Sequence, residues 1–109
     1  MKNETIVQKM IAYLDKIQLY VGNCDYDSFR INTQLVDACV FNLSQIGELA
    51  GKLDADYTQS YPSVPWRQMR GLRNRIVHDY EGVNLLLVWE IIDVDLPQLK
   101  RTLQSILKL

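Results

Sequence analysis

Histidine is almost absent from this 109-residue chain: there is one, His78, alongside two cysteines, three prolines and five glycines. Each scarcity excludes something. Cys24 and Cys39 lack C-x-x-C spacing and have no histidine nearby, so neither a zinc site nor a disulfide framework is indicated. His78 has only Asp79 and Glu81 beside it as further ligands, which makes metal binding improbable. No apolar run approaches the roughly 20 residues of a membrane span. Met1-Lys2-Asn3-Glu4-Thr5 places an acid early and leads into an amphipathic pattern, which is not the pattern of a signal peptide. A reduced, cytoplasmic setting is the simplest expectation. The formal charge of −1 rules out a globally basic nucleic-acid binder.

What is present is ordinary in amount and uneven in placement. The 48% hydrophobic and 23% charged fractions are those of a globular domain, and 109 residues suffice for one core, so residues 1–109 are expected to form a single domain. Arg67, Arg70, Arg73 and Arg75 fall within nine residues, with no acid before Asp79. Contact with a polyanion would have to use that patch.

Apolar residues recur at three- and four-residue steps, and no period-two strand is evident. A first helix is expected over about Glu4 to Val21 and ends at Gly22-Asn23. Cys24 to Arg30 reads as a polar connection, with Asp27 or Ser28 available as a cap. A second helix runs from about Asn32 to Leu53. Its two adjacent apolar stripes suggest packing on more than one side, centrally in a bundle or at a dimer interface. Gly47 costs this helix roughly 1 kcal/mol of propensity, which close approach of a neighbour would explain. Asp54 to Val64 reads as a loop.

A third helix starts near Pro65 and carries Trp66, Met69, Leu72, Ile76, Val77 and Tyr80 on one face. Asn84 can cap a fourth over Leu85 to Val94, and a last segment follows a kink near Pro97, with Asp95 as a possible cap. The expected fold is all-α, an up-and-down bundle of four to five helices.

Arg73-Asn74-Arg75-Ile76-Val77-His78-Asp79-Tyr80 holds the chemistry. Histidine titrates near neutrality and suits proton transfer; a guanidinium forks onto phosphate oxygens. On a regular helix at about 100° per residue, Arg73 falls within the apolar cluster and His78 about 140° away, beside Asn74. Arg73 then needs a carboxylate, and Glu48 or Asp37 of the second helix could supply it. Metal-free RNA cleavage needs one group to deprotonate the 2′-hydroxyl, another to protonate the leaving 5′-oxygen, and a cation for the charge on phosphorus. With one histidine per chain, a two-fold dimer is implied if that chemistry is real. The residues equally allow plainer roles. A histidine near a helix end complements the dipole, arginines solvate a face, and Trp66, Tyr80 and Trp89 fill a core. From the residues alone the function is undecided.

The segment from Tyr61 to Tyr80, with Pro65-Trp66 upstream, resembles the HepT family of HEPN-domain toxins from HEPN/MNT toxin–antitoxin pairs. Arg73, His78 and Tyr80 match its R-x-x-x-x-H-x-Y signature, and Asn74 matches the polar residue that follows the arginine. The likeness continues through Gly82-Val83-Asn84, Val88-Trp89 and Asp95 to Lys100. It implies a HEPN-like helical homodimer whose interface holds a metal-independent endoribonuclease site, with no cofactor. Arg73, Asn74 and His78 would be catalytic, and Arg67, Arg70 and Arg75 would bind RNA phosphates. The implied partner is an MNT-type nucleotidyltransferase antitoxin that transfers AMP onto Tyr80. A competing expectation is a non-catalytic module that binds a nucleotide or partner.

Overall fold

The computed structural model describes residues 2–78 and 82–108, with His78 described by its backbone alone. The first helix, α1, spans Asn3–Val21 and buries Ile6, Val7, Met10, Leu14 and Ile17, the stripe that its three- and four-residue spacing requires. It packs along α3, Thr33–Ala50. Asn3 and Asp54 tie the start of α1 to the chain just beyond α3. The Asn3 amide donates to Asp54 Oδ2 at 3.2 Å, and the Asp54 backbone N–H donates to Asn3 Oδ1 at 3.1 Å, so the two helices run antiparallel. Asn32 caps α3 by accepting from the Leu35 N–H.

The segment expected as a connection contains a helix, α2, Tyr26–Ile31. Its cap is Asp25 rather than Asp27 or Ser28, and the Ser28 N–H donates to the Asp25 carboxylate at 2.9 Å. That bond, followed by the Ser28 hydroxyl, lowers the pKa of Asp25. The α2 turn also seats Phe29 in the core, 5.2 Å from the Trp89 ring. A second short helix, α4, occupies Ala55–Gln59 within the expected loop.

α3 contacts α1, α2 and two short helices, α5 (Trp66–Arg70) and α6 (Leu72–Ile76), which makes it the central element. Val36, Cys39, Asn42, Leu43, Ile46, Gly47 and Leu49 are buried along one broad face of it, while Gln34, Asp37, Phe41 and Glu48 stay exposed on the other. Gly47 has the purpose expected of it. A Cβ there would stand 2.8 Å from the Met69 carbonyl oxygen, so α5 crosses α3 where no side chain intervenes.

The expected third helix is not continuous. It breaks at Gly71, and it ends at Ile76 instead of reaching Tyr80. Val77 is already extended, at φ −115° and ψ 122°, and opens β1, Val77–His78. β1 pairs antiparallel with β2, Gly82–Val83, with Val77 opposite Val83 and His78 opposite Gly82. The Asn84 N–H closes the ladder onto the Ile76 carbonyl at 2.8 Å. The hairpin draws the chain out of the helix.

Gly82 sits at φ +77°, a conformation that costs a side chain roughly 1–2 kcal/mol. Nothing lies within 4 Å of a Cβ placed there, so Gly82→Ala is expected to lower stability by about 1 kcal/mol through backbone strain alone. Denaturant unfolding checks this.

Asn84 caps α7, Leu85–Glu90, by accepting from the Leu87 N–H. The kink expected near Pro97 takes the form of a π turn over Ile91–Asp95, followed by α8, Leu96–Ile106. The Leu96 N–H reaches back five residues to the Ile91 carbonyl. The widened turn makes room for a ring that clashes with the preceding helical turn and brings no N–H. Asp95 makes no cap hydrogen bond, because the backbone stays helical through it. Lys100 joins α8 to α1 through Asp15 at 2.6 Å. The result is an all-α bundle, antiparallel in its long helices, and none of its described helices is long and apolar enough to cross a membrane.

Candidate nucleic-acid interface

α6 is anchored at both ends and open between them. Leu72 and Ile76, four residues apart, are buried, while Arg73, Asn74 and Arg75 between them are exposed. α5 has the same logic: Trp66 and Met69 are buried, and Arg67, Gln68 and Arg70 are exposed. The Trp66 indole N–H donates to the Tyr61 carbonyl at 3.1 Å, which fixes the entry to α5.

The break at Gly71 corrects the helical-wheel expectation for Arg73. A continuous helix would carry it into the apolar face; a second short helix turns it to solvent. It therefore needs no buried counter-ion. Among the described residues the ion pairs are Arg30–Asp27 and Lys100–Asp15, and Arg73 is in neither. Of the two acids considered for it, Glu48 lines the same pocket and Asp37 does not.

That pocket, of about 290 Å³, lies between the C-terminal end of α3 and the α5–α6 pair. Lys52, Arg70 and Arg73 line it against one carboxylate, Glu48. Ser44 also reaches it, but its hydroxyl donates to the Val40 carbonyl at 2.8 Å. Arg70 is shared with a neighbouring groove along Pro62, Pro65 and Arg67. Arg75 opens elsewhere, into a pocket of about 400 Å³ toward α8 that also holds Asp95. The four arginines therefore divide: Arg67, Arg70 and Arg73 share adjoining pockets, and Arg75 stands apart from them.

His78 ends β1, so the separation of about 140° from Arg73 and the shared face with Asn74 no longer follow, since both assumed a regular helix. The imidazole of His78 and all of Tyr80 lie outside the described residues. Lys52 is the member of the pocket that sequence reading missed. It lies 21 positions before Arg73, and nothing in its local pattern distinguishes it from any lysine closing a helix.

The cysteines are structural in character. Burial, with a smaller contribution from Cys24, pushes the Cys39 thiol up to about 11. It stays protonated at neutral pH and is a poor nucleophile.

Comparison with known proteins accounts for nearly the whole chain. The family described as "Ribonuclease HepT-like" matches residues 10–106. A candidate RNase of Methanocaldococcus jannaschii is 32% identical over 99 residues, covering 91% of this chain and 82% of that protein. Another from the same organism, also named as a candidate RNase, is 31% identical over 99 residues, 91% of this chain and 85% of its own length. A probable ribonuclease HepT of Thermococcus cleftensis is 25% identical over 95 residues, 87% and 86% of the two chains. No solved structure gives a significant match.

Proposed function

The chain belongs to the ribonuclease HepT-like family, and from that premise we propose that it is a metal-independent endoribonuclease, the toxin of a HEPN/MNT toxin–antitoxin pair. The observation that carries the reading is Arg73 itself. Its guanidinium is exposed, it pairs with no described carboxylate, and two further cations share its pocket. A structural arginine would be spent on an internal partner; this one is available to a phosphate.

In the proposed reaction the 2′-oxygen attacks phosphorus and the bond to the 5′-oxygen breaks. His78 moves the proton, Arg73 neutralises the charge that builds on the phosphoryl oxygens, and Asn74 adds a polar contact. One histidine cannot stand on both sides of the phosphorus at once. A homodimer supplies the second, so the active unit is two copies facing across one cleft. Arg67 and Arg70 supply further phosphate contacts, and Arg75 supplies one from the side facing α8.

The partner is an MNT-type nucleotidyltransferase antitoxin. It transfers AMP from ATP to the Tyr80 hydroxyl: an O–P bond forms at the α-phosphate, pyrophosphate leaves, and the phenolic proton is released. The added negative charge competes with RNA for the arginines. Coexpression with such an enzyme is expected to raise the intact mass by AMP units and to stop RNA cleavage, while Tyr80→Phe stays unmodified and active. Modification without loss of cleavage would refute this mode of control. RNA cleavage by the unmodified protein tests the enzyme reading, and its absence in a protein that still binds the nucleotidyltransferase would favour a non-catalytic binding module.

A further inference from the structure

The geometry points to a second group of RNA-contacting residues at the C-terminal end of α3, with opposite signs of effect. Lys52 holds the phosphate next to the one on Arg73, and Glu48 opposes the strand, limiting how tightly it binds. This rests on the RNA-cleaving reading above and adds to it the path of the strand. The path runs from Lys52 past Arg73, over Arg70, and into the groove beside Arg67.

Three observations carry it. First, Lys52, Arg70 and Arg73 line one pocket although they come from separate elements, and all three are exposed. Second, Arg70 also lines the adjoining groove, so the cationic surface is continuous from the end of α3 to the start of α5. Third, Glu48 is the carboxylate in that pocket, is exposed, and forms no ion pair with a described cation. An acid held against three cations without a partner acts on whatever enters. It lowers the potential that the cations present, and a phosphate arriving there meets a like charge.

A plainer role for Lys52 is to complement the helix dipole, since it stands just beyond Gly51 at the end of α3. The two roles separate by measurement. A dipole complement acts on stability and leaves RNA affinity alone; a phosphate contact does the reverse.

The test uses the full-length protein and a single-stranded 2′-O-methyl RNA, which lacks the attacking hydroxyl and cannot be cleaved. Binding is titrated across salt for wild type, Lys52→Gln, Lys52→Arg, Glu48→Gln and, as a control that lines neither pocket, the exposed Lys9→Gln, with thermal melts of each. Losing one phosphate contact should lower the log–log salt slope by about 0.7 and weaken binding about fivefold at 0.1 M salt. Lys52→Gln is expected to show both changes, Lys52→Arg neither, and Glu48→Gln tighter binding than wild type. Unchanged RNA affinity in Lys52→Gln overturns the assignment, most pointedly if its melting temperature falls or its complex with the nucleotidyltransferase is lost instead. Weaker binding in Glu48→Gln overturns the role given to that carboxylate, and failure of wild type to bind the RNA overturns both. Because the oligonucleotide cannot react, absence of cleavage on ordinary RNA would count against the nuclease and leave these binding results standing.

Discussion

Purified Arg73→Ala and His78→Ala proteins are each expected to lose RNA cleavage by at least about a hundredfold, the usual scale for removing a charge stabiliser or a proton-transfer group. The fold should not change with Arg73. Its side chain is exposed and joins no described ion pair, and substitutions at such positions usually shift stability by less than about 0.5 kcal/mol. A matched melting temperature alongside lost activity therefore separates a chemical role from a structural one. Arg73→Lys keeps the charge and loses the planar fork, so it should recover only part of the rate. In the proposed dimer neither substitution removes an apolar contact, so size-exclusion chromatography is expected to report the same assembly for each variant as for wild type. If Arg73→Ala cleaved RNA at the wild-type rate, the pocket between α3 and α6 would not be the site.

The second large effect is on stability. Gly47→Ala sets two terms of opposite sign against each other. Alanine restores roughly 1 kcal/mol of helix propensity. Its methyl, however, would stand 2.8 Å from the Met69 carbonyl oxygen and 3.7 Å from that of Arg70, both backbone atoms. Backbone cannot rotate away as a side chain can, so α5 must move off α3. Overpacking of this kind costs about 1–3 kcal/mol, which outweighs the propensity gained. For a domain of this size each kcal/mol lost lowers the melting temperature by about 4–8 °C. Gly47→Val should be worse. The displacement also shifts Arg70 against Lys52, so activity should fall along with stability. A higher melting temperature for Gly47→Ala would mean that propensity wins and that the close crossing of α3 and α5 is not a constraint.

Much of this architecture can be read from the residues. The spacing of Ile6, Met10, Leu14 and Ile17 places α1, the broad apolar surface of α3 marks it as central, and Asn84 announces α7. What escapes such reading has a physical cause in each case. Trp66, Met69, Leu72 and Ile76 keep helical spacing straight through Gly71, and Val77 and Tyr80 continue that spacing in the sequence. The stop at Ile76 comes from pairing of Val77 with Val83, a contact that periodicity does not encode. The helix at Tyr26–Ile31 is too short for a repeat to show, and its signal lies in the cap, Asp25 three residues before Ser28. The end of the third helix matters most for function. It removes the angular argument that kept Arg73 and His78 apart, and leaves the single histidine as the argument for the proposed second copy. Glu48, one of the two acids expected beside Arg73, lines its pocket, whereas Lys52 joins across the fold, where a linear motif cannot report it.

The most direct test of the central claim is cleavage of RNA by purified, unmodified protein in the presence of EDTA, measured beside His78→Ala prepared identically. Fragments from wild type and none from the variant are the expected result. Equal cleavage by both proteins, or none by either under conditions where the protein is dimeric and free of AMP, would contradict it.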